Sequence, residues 1–238
     1  MIKIENVETC GWSAALRGMR NPKDSWDKSD SHFDKKNPWC YGTPSNEVEA
    51  CIGPNDLKLA STLAKGGPVH AKYRRMITVY LDITAPLYWW KEFDTYKVGT
   101  VSNSCSTMHR IHIRPLTLDD FAHDQLSTCN RNLLQMTIDN INDARLKYIE
   151  AKEAGDEVKA KEHWYQMIQL LPSSYLQRRT IQLNYEVLHN IYHSPRFNHK
   201  LYEWREFCEW IKTLPYAEYL IIDPHTLDEE LEKNPKNT

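Results

Sequence analysis

The chain has 238 residues, 41% of them hydrophobic and 26% charged, with a formal net charge of −2. That length supports a sizeable core in one domain, and a near-neutral chain without a run of five Lys or Arg argues against a protein devoted to nucleic acid. No apolar stretch approaches the roughly 20 residues that span a bilayer. The opening MIKIENVETC has no apolar signal core, so a cytoplasmic protein that touches no membrane is expected. Eight Trp among 11% aromatic residues require burial and exclude disorder.

Ile2, Ile4 and Val7, with Lys3 and Glu5 between them, predict a short half-buried strand. Trp12 to Arg20 reads as a short helix built on Ala14, Ala15 and Leu16. Asn21 to Pro54 is rich in Asp, Ser, Lys, Asn, Pro and Gly without periodicity, which marks a long functional or mobile loop. Its aromatics Phe33, Trp39 and Tyr41 predict that it docks, as a lid or a subunit contact. Asp56 to Lys65 is a helix stopped by Gly66-Gly67-Pro68.

From Met76 to Ile83 the chain alternates, with Ile77, Val79, Leu81 and Ile83 on one face and Thr78, Tyr80 and Asp82 on the other. Thr84 is expected to cap the next helix with Pro86 near its first turn, and Trp89, Phe93 and Tyr96 to share one side of it. Val98 to Ser106 reads as loop. A helical stretch from Leu118 to about Glu153 carries the stripe Leu134, Ile138, Ile141, Ala144 and Tyr148. Gly155-Asp156 breaks it, and a second helix runs to Pro172. Tyr175 to Leu183 predicts a strand and Asn184 to His193 a helix. Leu201, Trp204, Phe207, Cys208 and Ile211 define a last amphipathic helix, and the acidic tail 223–238 is expected to fray. Repeats are absent. Strand pieces separated by long helices make the fold α+β or α/β, with residues 1–222 as one domain.

The six cysteines, Cys10, Cys40, Cys51, Cys105, Cys129 and Cys208, contain no CxxC, so neither a zinc ribbon nor a thioredoxin-type pair is present. They read as reduced and mostly buried small hydrophobes, Cys105 excepted. His189 and His193 lie at i, i+4, but Asn190 follows where HExxH needs Glu, and His109 and His112 specify no metal. Surface or hydrogen-bonded histidines, with no metal, are expected.

GxGxxG, Walker and GxSxG patterns are all missing. Two polar segments beside dense aromatics remain. The first, Trp89 to Arg110, joins a Trp-rich helix to the small polar run VGTVSNSCS, able either to bring donors to a ligand or merely to end a helix over core aromatics. The second, Leu171 to Arg196, contains adjacent Arg178 and Arg179, which a strand turns to opposite sides, so at least one faces inward towards an anion or a hydrogen-bond set. Asn184 and Asn190 are six apart, and Asn184 also suits a plain helix N-cap.

Together the two segments resemble the flavin-dependent thymidylate synthases, also called thymidylate synthase complementing proteins. That family has an Arg-His-Arg triplet at a helix end, seven residues, then Ser; here Thr95-Tyr96-Lys97 are followed by seven residues and Cys105. Its second block, Leu-Pro, a Tyr, an Asn opening a helix, an Asn six on and an Arg near the end, reads Leu171-Pro172, Tyr175, Asn184, Asn190 and Arg196. A long helical insertion lies between the blocks, and a helix bearing Glu203, Trp204 and Arg205 follows. The resemblance spans roughly residues 70 to 220 and rests on spacing more than identity. The departures are of charge. Only Lys97 remains of the triplet's cations, Ser102-Asn103 replace an Asn-Glu pair, Glu92 stands for a Gln, and Glu186 and Ile168 stand for Arg.

The resemblance implies a single-domain α+β fold with a twisted sheet flanked by long helices. It implies a homotetramer that binds FAD and methylates dUMP to dTMP with methylenetetrahydrofolate and NADPH. Carried onto this sequence, Tyr96, Lys97, Ser102, Asn103, Asn184 and Asn190 would hold the cofactor. Glu92, Ser104, Cys105, Arg178, Arg179 and Arg196 would hold the pyrimidine nucleotide, with Cys105 and Ser104 as the catalytic residues. Because the flavin carries that chemistry, Cys105 is expected to contact ligand, the alternative being an exposed thiolate of depressed pKa that attacks the pyrimidine C6. Pyrophosphate and phosphate seek Arg forks or helix N-termini, so Arg74, Arg75, Lys97, Arg110, Arg178, Arg179 and Arg196 are the candidate replacements for lost cations. Trp89, Trp90 and Tyr96 are candidates to stack on a flavin or uracil ring. The resemblance leaves two alternatives open: a flavin- and nucleotide-binding protein with altered one-carbon chemistry, or a non-catalytic tetrameric scaffold.

Overall fold

The computed structural model describes residues 2–33 and 51–226. Cys40, Trp39, Tyr41 and the tail beyond 226 lie outside the described residues. Among the described residues four strands, β1 (Lys3–Cys10), β2 (Thr78–Pro86), β3 (Val101–Ser104) and β4 (Leu176–Asn184), form one sheet in the order β1-β2-β4-β3. The helices are α1 (Trp12–Arg20), α2 (Pro54–Lys65), α3 (Leu87–Phe93), α4 (Thr107–Arg110), α5 (Thr128–Glu153), α6 (Glu157–Leu170), α7 (Tyr185–His193) and α8 (Tyr202–Ile211). The fold is α+β. β2 and β4 run antiparallel: Tyr185 N–H donates to the Ile77 carbonyl (3.1 Å) and Leu87 N–H to the Tyr175 carbonyl (3.0 Å). The alternation of β2 is real, since Ile77, Val79, Leu81 and Ile83 are all buried.

The chain divides into two compact units, one of Met1–Lys3, Ile83–Thr95 and Asn103–Thr180, the other of Ile4–Asp82, Tyr96–Ser102 and Ile181–Thr238. The first is built on the α5–α6 hairpin. Gly155, at φ +72°, supplies the left-handed turn, and Asp156 caps α6 by accepting from Lys159 N–H (3.1 Å). Leu134, Ile138, Ile141 and Ala144 of α5 pack with Met167 of α6, Ile111, Leu116 and Phe121, and Tyr148 is partly buried beside them. Each large side chain so buried contributes about 2 kcal/mol. Asn142 binds both the N–H and the carbonyl of Leu116, at 2.8 and 2.9 Å, which fixes the preceding segment on the hairpin.

In the second unit Trp12 meets the edges of Tyr185 and Tyr216, with centroids 5.3 and 5.7 Å away. Tyr185 is wholly buried, which pushes its phenol well above its ordinary pKa, and its hydroxyl donates to the Pro215 carbonyl (2.7 Å). Gly11, at φ +88°, opens α1 where a Cβ would lie 2.1 Å from the Met76 carbonyl oxygen, so only glycine fits. The start of the long loop is tied down. Buried Asp56 accepts from Arg20 Nε (2.5 Å) and the hydroxyls of Ser29 (2.6 Å) and Ser31 (2.5 Å), and Asp30 accepts from the N–H groups of Asn55 and Asp56.

Several expectations need correction. Thr84 caps nothing, because the pairing with β4 carries β2 through to Pro86 and α3 opens only at Leu87. Tyr96 lies beyond the end of α3 and so does not share a face with Trp89 and Phe93. Val101–Ser104 is a strand, held beside β4 by ladder bonds such as Cys105 N–H to the Arg178 carbonyl (2.9 Å). The long helix begins at Thr128, where Ser127 caps it, while Leu118–Asp120 forms a separate 3₁₀ turn boxed by Thr117 and Asp120. Phe33 is exposed in the single chain, and Trp39 and Tyr41, the other aromatics of that expectation, lie outside the described residues. Among the described cysteines only Cys208 is buried, its thiol pushed up to about 11; Cys10 and Cys51 are half-buried, Cys105 and Cys129 exposed, and all are free thiols. No described helix is long and apolar enough to cross a membrane.

Candidate functional site

In the first unit the polar run and β4 form one hydrogen-bonded cluster. Gln177 Nε2 donates to the Cys105 carbonyl (3.3 Å) and to Thr107 Oγ1 (3.2 Å). Gln177 Oε1 accepts from Arg179 Nε (2.9 Å), and the Gln177 carbonyl accepts from Trp90 Nε1 (2.9 Å). Arg179 donates through Nη1 to Asp94 Oδ1 (2.7 Å) and stacks over the Trp90 ring with its Cζ 4.2 Å from the centroid. The adjacent arginines thus face opposite ways, Arg179 half-buried in this set and Arg178 exposed. Gln177 and Asp94 were missed by the sequence reading. The usable signal for Gln177 is its place two residues before Arg179, on the same face of a strand.

Asn103, Ser104 and Cys105 are exposed in succession, and Glu92 is half-buried. Ser106 caps α4, accepting from His109 N–H (3.3 Å). The expectation that Trp89 and Trp90 stack on a ligand fails, since both are at most 1% exposed. Their faces are spent on the core: Trp89 stacks on Phe93 at 5.0 Å and meets Trp90 edge-on at 5.0 Å.

In the second unit Arg196 is the centre. Its Nε donates to the Tyr96 hydroxyl (3.0 Å), and its guanidinium lies over the rings of Trp204 (4.3 Å) and Tyr96 (5.6 Å). Tyr96 Oη and Ser194 Oγ are 3.3 Å apart. A guanidinium held over two aromatic rings has its planar fork oriented, the geometry in which Arg meets a planar anion. Ser194 had no sequence signal beyond its place in a polar turn.

Asn184 caps α7, its side-chain oxygen accepting from Val187 N–H (3.0 Å). Its amide nitrogen faces Gly99, where a Cβ would come within 3.0 Å of it. Lys97, Ser102 and Asn190 are exposed. Arg74 is 2% exposed and lies 3.8 Å from buried Glu186, while its Nε and Nη2 and the Glu186 Oε2 are buried without a hydrogen-bond partner. Arg75 and Arg110 are exposed. His189 and His193 both donate to the Ile221 carbonyl, at 2.8 and 2.9 Å, which accounts for their spacing without a metal.

No protein-family model matches the chain, and no curated protein matches it. Solved structures do. The flavin-dependent thymidylate synthase ThyX from Helicobacter pylori, complexed with FAD and dUMP, matches with a TM-score of 0.58 and 16% identity over 91% of this chain and 98% of that one. A second structure of ThyX from Helicobacter pylori with FAD and dUMP gives a TM-score of 0.58 and 15% identity, covering 93% and 97%. At such identity the likeness establishes a shared fold.

Proposed function

We propose that the chain is a divergent flavin-dependent thymidylate synthase, methylating dUMP to dTMP with FAD as cofactor, methylenetetrahydrofolate as carbon donor and NADPH as reductant. The fold likeness, which covers more than nine-tenths of each chain, carries this reading, because the matched proteins hold FAD and dUMP. The sequence resemblance supports it through the spacing of the two blocks.

The donors present fit an anionic dinucleotide and a nucleotide phosphate. β3 and Cys105 offer an exposed run of small polar groups, Lys97 and Arg178 are exposed cations, and Arg196 is a fork pre-oriented on aromatic faces. When bound, FAD supplies the redox chemistry of one-carbon transfer. On this reading Tyr96, Lys97, Ser102, Asn103, Asn184 and Asn190 hold the cofactor. Arg196 and Arg178 meet phosphate. Arg179 keeps Gln177 and the backbone of Cys105 in place, and Glu92, Ser104 and Cys105 line the pyrimidine. Cys105 acts as a ligand contact. The working form is a cytoplasmic homotetramer.

A second reading, a flavin- and nucleotide-binding protein with altered one-carbon chemistry, is favoured by one observation. Glu186, where the resembled family has Arg, is buried beside Arg74, so a cation is removed from that helix turn. The visible spectrum of the purified protein with and without FAD separates the readings. A flavin band perturbed by dUMP, with tritium release from 5-tritiated dUMP, supports thymidylate synthesis. Bound flavin without release supports the second reading. A colourless protein that takes up no FAD removes both.

A further inference from the structure

The first unit carries an open pocket of about 450 Å³ lined by Met108, His109, His112, Tyr148 and Trp164. That volume lies within the range of roughly 300–1,000 Å³ typical of small-molecule sites. Its floor is fixed, because Tyr148 and Trp164 pack against the hydrophobic core of the α5–α6 hairpin. The Trp164 indole N–H donates to the Met108 carbonyl at 3.1 Å, so the only polar atom of that ring is used inside the wall. The rings of His112 and Tyr148 are 5.0 Å apart. Arg145 pins the rim, donating to the carbonyls of His112 (2.8 Å) and Ile113 (3.4 Å).

His112 Nδ1 is buried without a hydrogen-bond partner. A buried orphan N–H is rarer and costlier than a buried orphan acceptor, which favours the tautomer with its proton on Nε2. That gives the aromatic lining a hydrogen-bond donor. No carboxylate lines the pocket, so nothing in it answers a cation's charge. Aromatic walls, a fixed floor and a donor without an acid describe a site for a flat ring that carries an acceptor at its edge.

We propose that this pocket binds a purine-sized heteroaromatic ring, stacked on the aromatic wall and accepting a hydrogen bond from His112 Nε2. The inference does not rest on the proposed FAD chemistry. Adenosine is the probe, added without FAD to the full chain labelled with ¹³C at the methionine methyls, with Met108 assigned by Met108→Leu. The Met108 methyl shifts saturably below about 1 mM adenosine, the weak end of specific binding. His112→Phe keeps a ring, removes the donor and weakens the interaction about tenfold, the loss typical of one good hydrogen bond. Nitrogen shifts of the unsubstituted protein report the tautomer directly, whether or not that variant folds. An unmoved Met108 methyl, an equal response to tetramethylammonium, or a proton found on His112 Nδ1 overturns the proposal.

Discussion

Replacing Asp56 by Asn tests what holds the second unit to the start of its long loop. Asp56 is 0% exposed and takes three hydrogen bonds, from Arg20, Ser29 and Ser31, while Arg20, itself buried, also donates to the Ser25 carbonyl at 3.1 Å. Asn keeps the volume and one oxygen, so the loss is chiefly of charge: the guanidinium stays buried without its counter-ion. Breaking one half of a buried pair costs about 3–5 kcal/mol. The retained oxygen returns about 1 kcal/mol, which leaves about 2–4. With an urea m-value of about 2 kcal/mol/M, the unfolding midpoint falls by about 1–2 M at unchanged slope. The pH dependence follows. Burial pushes the Asp56 carboxyl up, but the two serine hydroxyls and Arg20 outweigh it and hold the pKa below the ordinary value. A depressed folded pKa means that the stabilisation is complete above about pH 4 and disappears as pH falls through the folded value. The native chain therefore loses stability more steeply below pH 4 than Asp56→Asn does. A variant within about 0.5 kcal/mol of the native chain, the range of an ordinary surface change, would refute the reasoning.

Three further outcomes are expected. Burial holds His189 down to about 4. Its contribution is therefore full above the ordinary pKa of about 6.5 and is lost on acidification towards 4; in His189→Gln the urea midpoint changes less over that window. Ile138→Ala removes a wholly buried side chain from the α5–α6 core and costs about 3 kcal/mol by thermal or urea melting. On the proposed reading, Arg196→Lys loses the planar fork over Trp204 and Tyr96, so dUMP affinity measured by calorimetry drops about tenfold while Tm moves by no more than a few degrees.

Elements with a clean period were legible. α1 matches its expected bounds because Gly11 and Asn21 bracket it, and the stripe of α5 is the stripe in the core. Failures came where distant partners decide. Thr84 looks like a cap until β4 pairs beside it, and Val101–Ser104 looks like loop until the same strand takes up its neighbour Cys105. Trp89 and Trp90 sit next to polar residues in sequence yet turn inward, since seven helical residues cannot present two indoles, a Phe and a polar face to solvent at once. In the candidate site, the opposite facing of Arg178 and Arg179 follows from strand pleat alone. The Arg196–Tyr96–Trp204 set does not, because its members are brought together across about a hundred residues.

That same non-locality governs how the chain is made. Ile52 N–H donates to the Tyr216 hydroxyl at 2.9 Å across 164 positions, and the Ser61 hydroxyl donates to the Pro224 carbonyl across 163. On the ribosome, α2 emerges long before the residues that cover it. At about 5–20 residues per second the interval is on the order of ten seconds. During it Ile52, Leu57 and Ala60, all buried in the finished unit, have no C-terminal partner. α2 is therefore exposed on the side the C-terminal residues cover until they emerge, and a stop codon before Tyr216 would remove that cover for good.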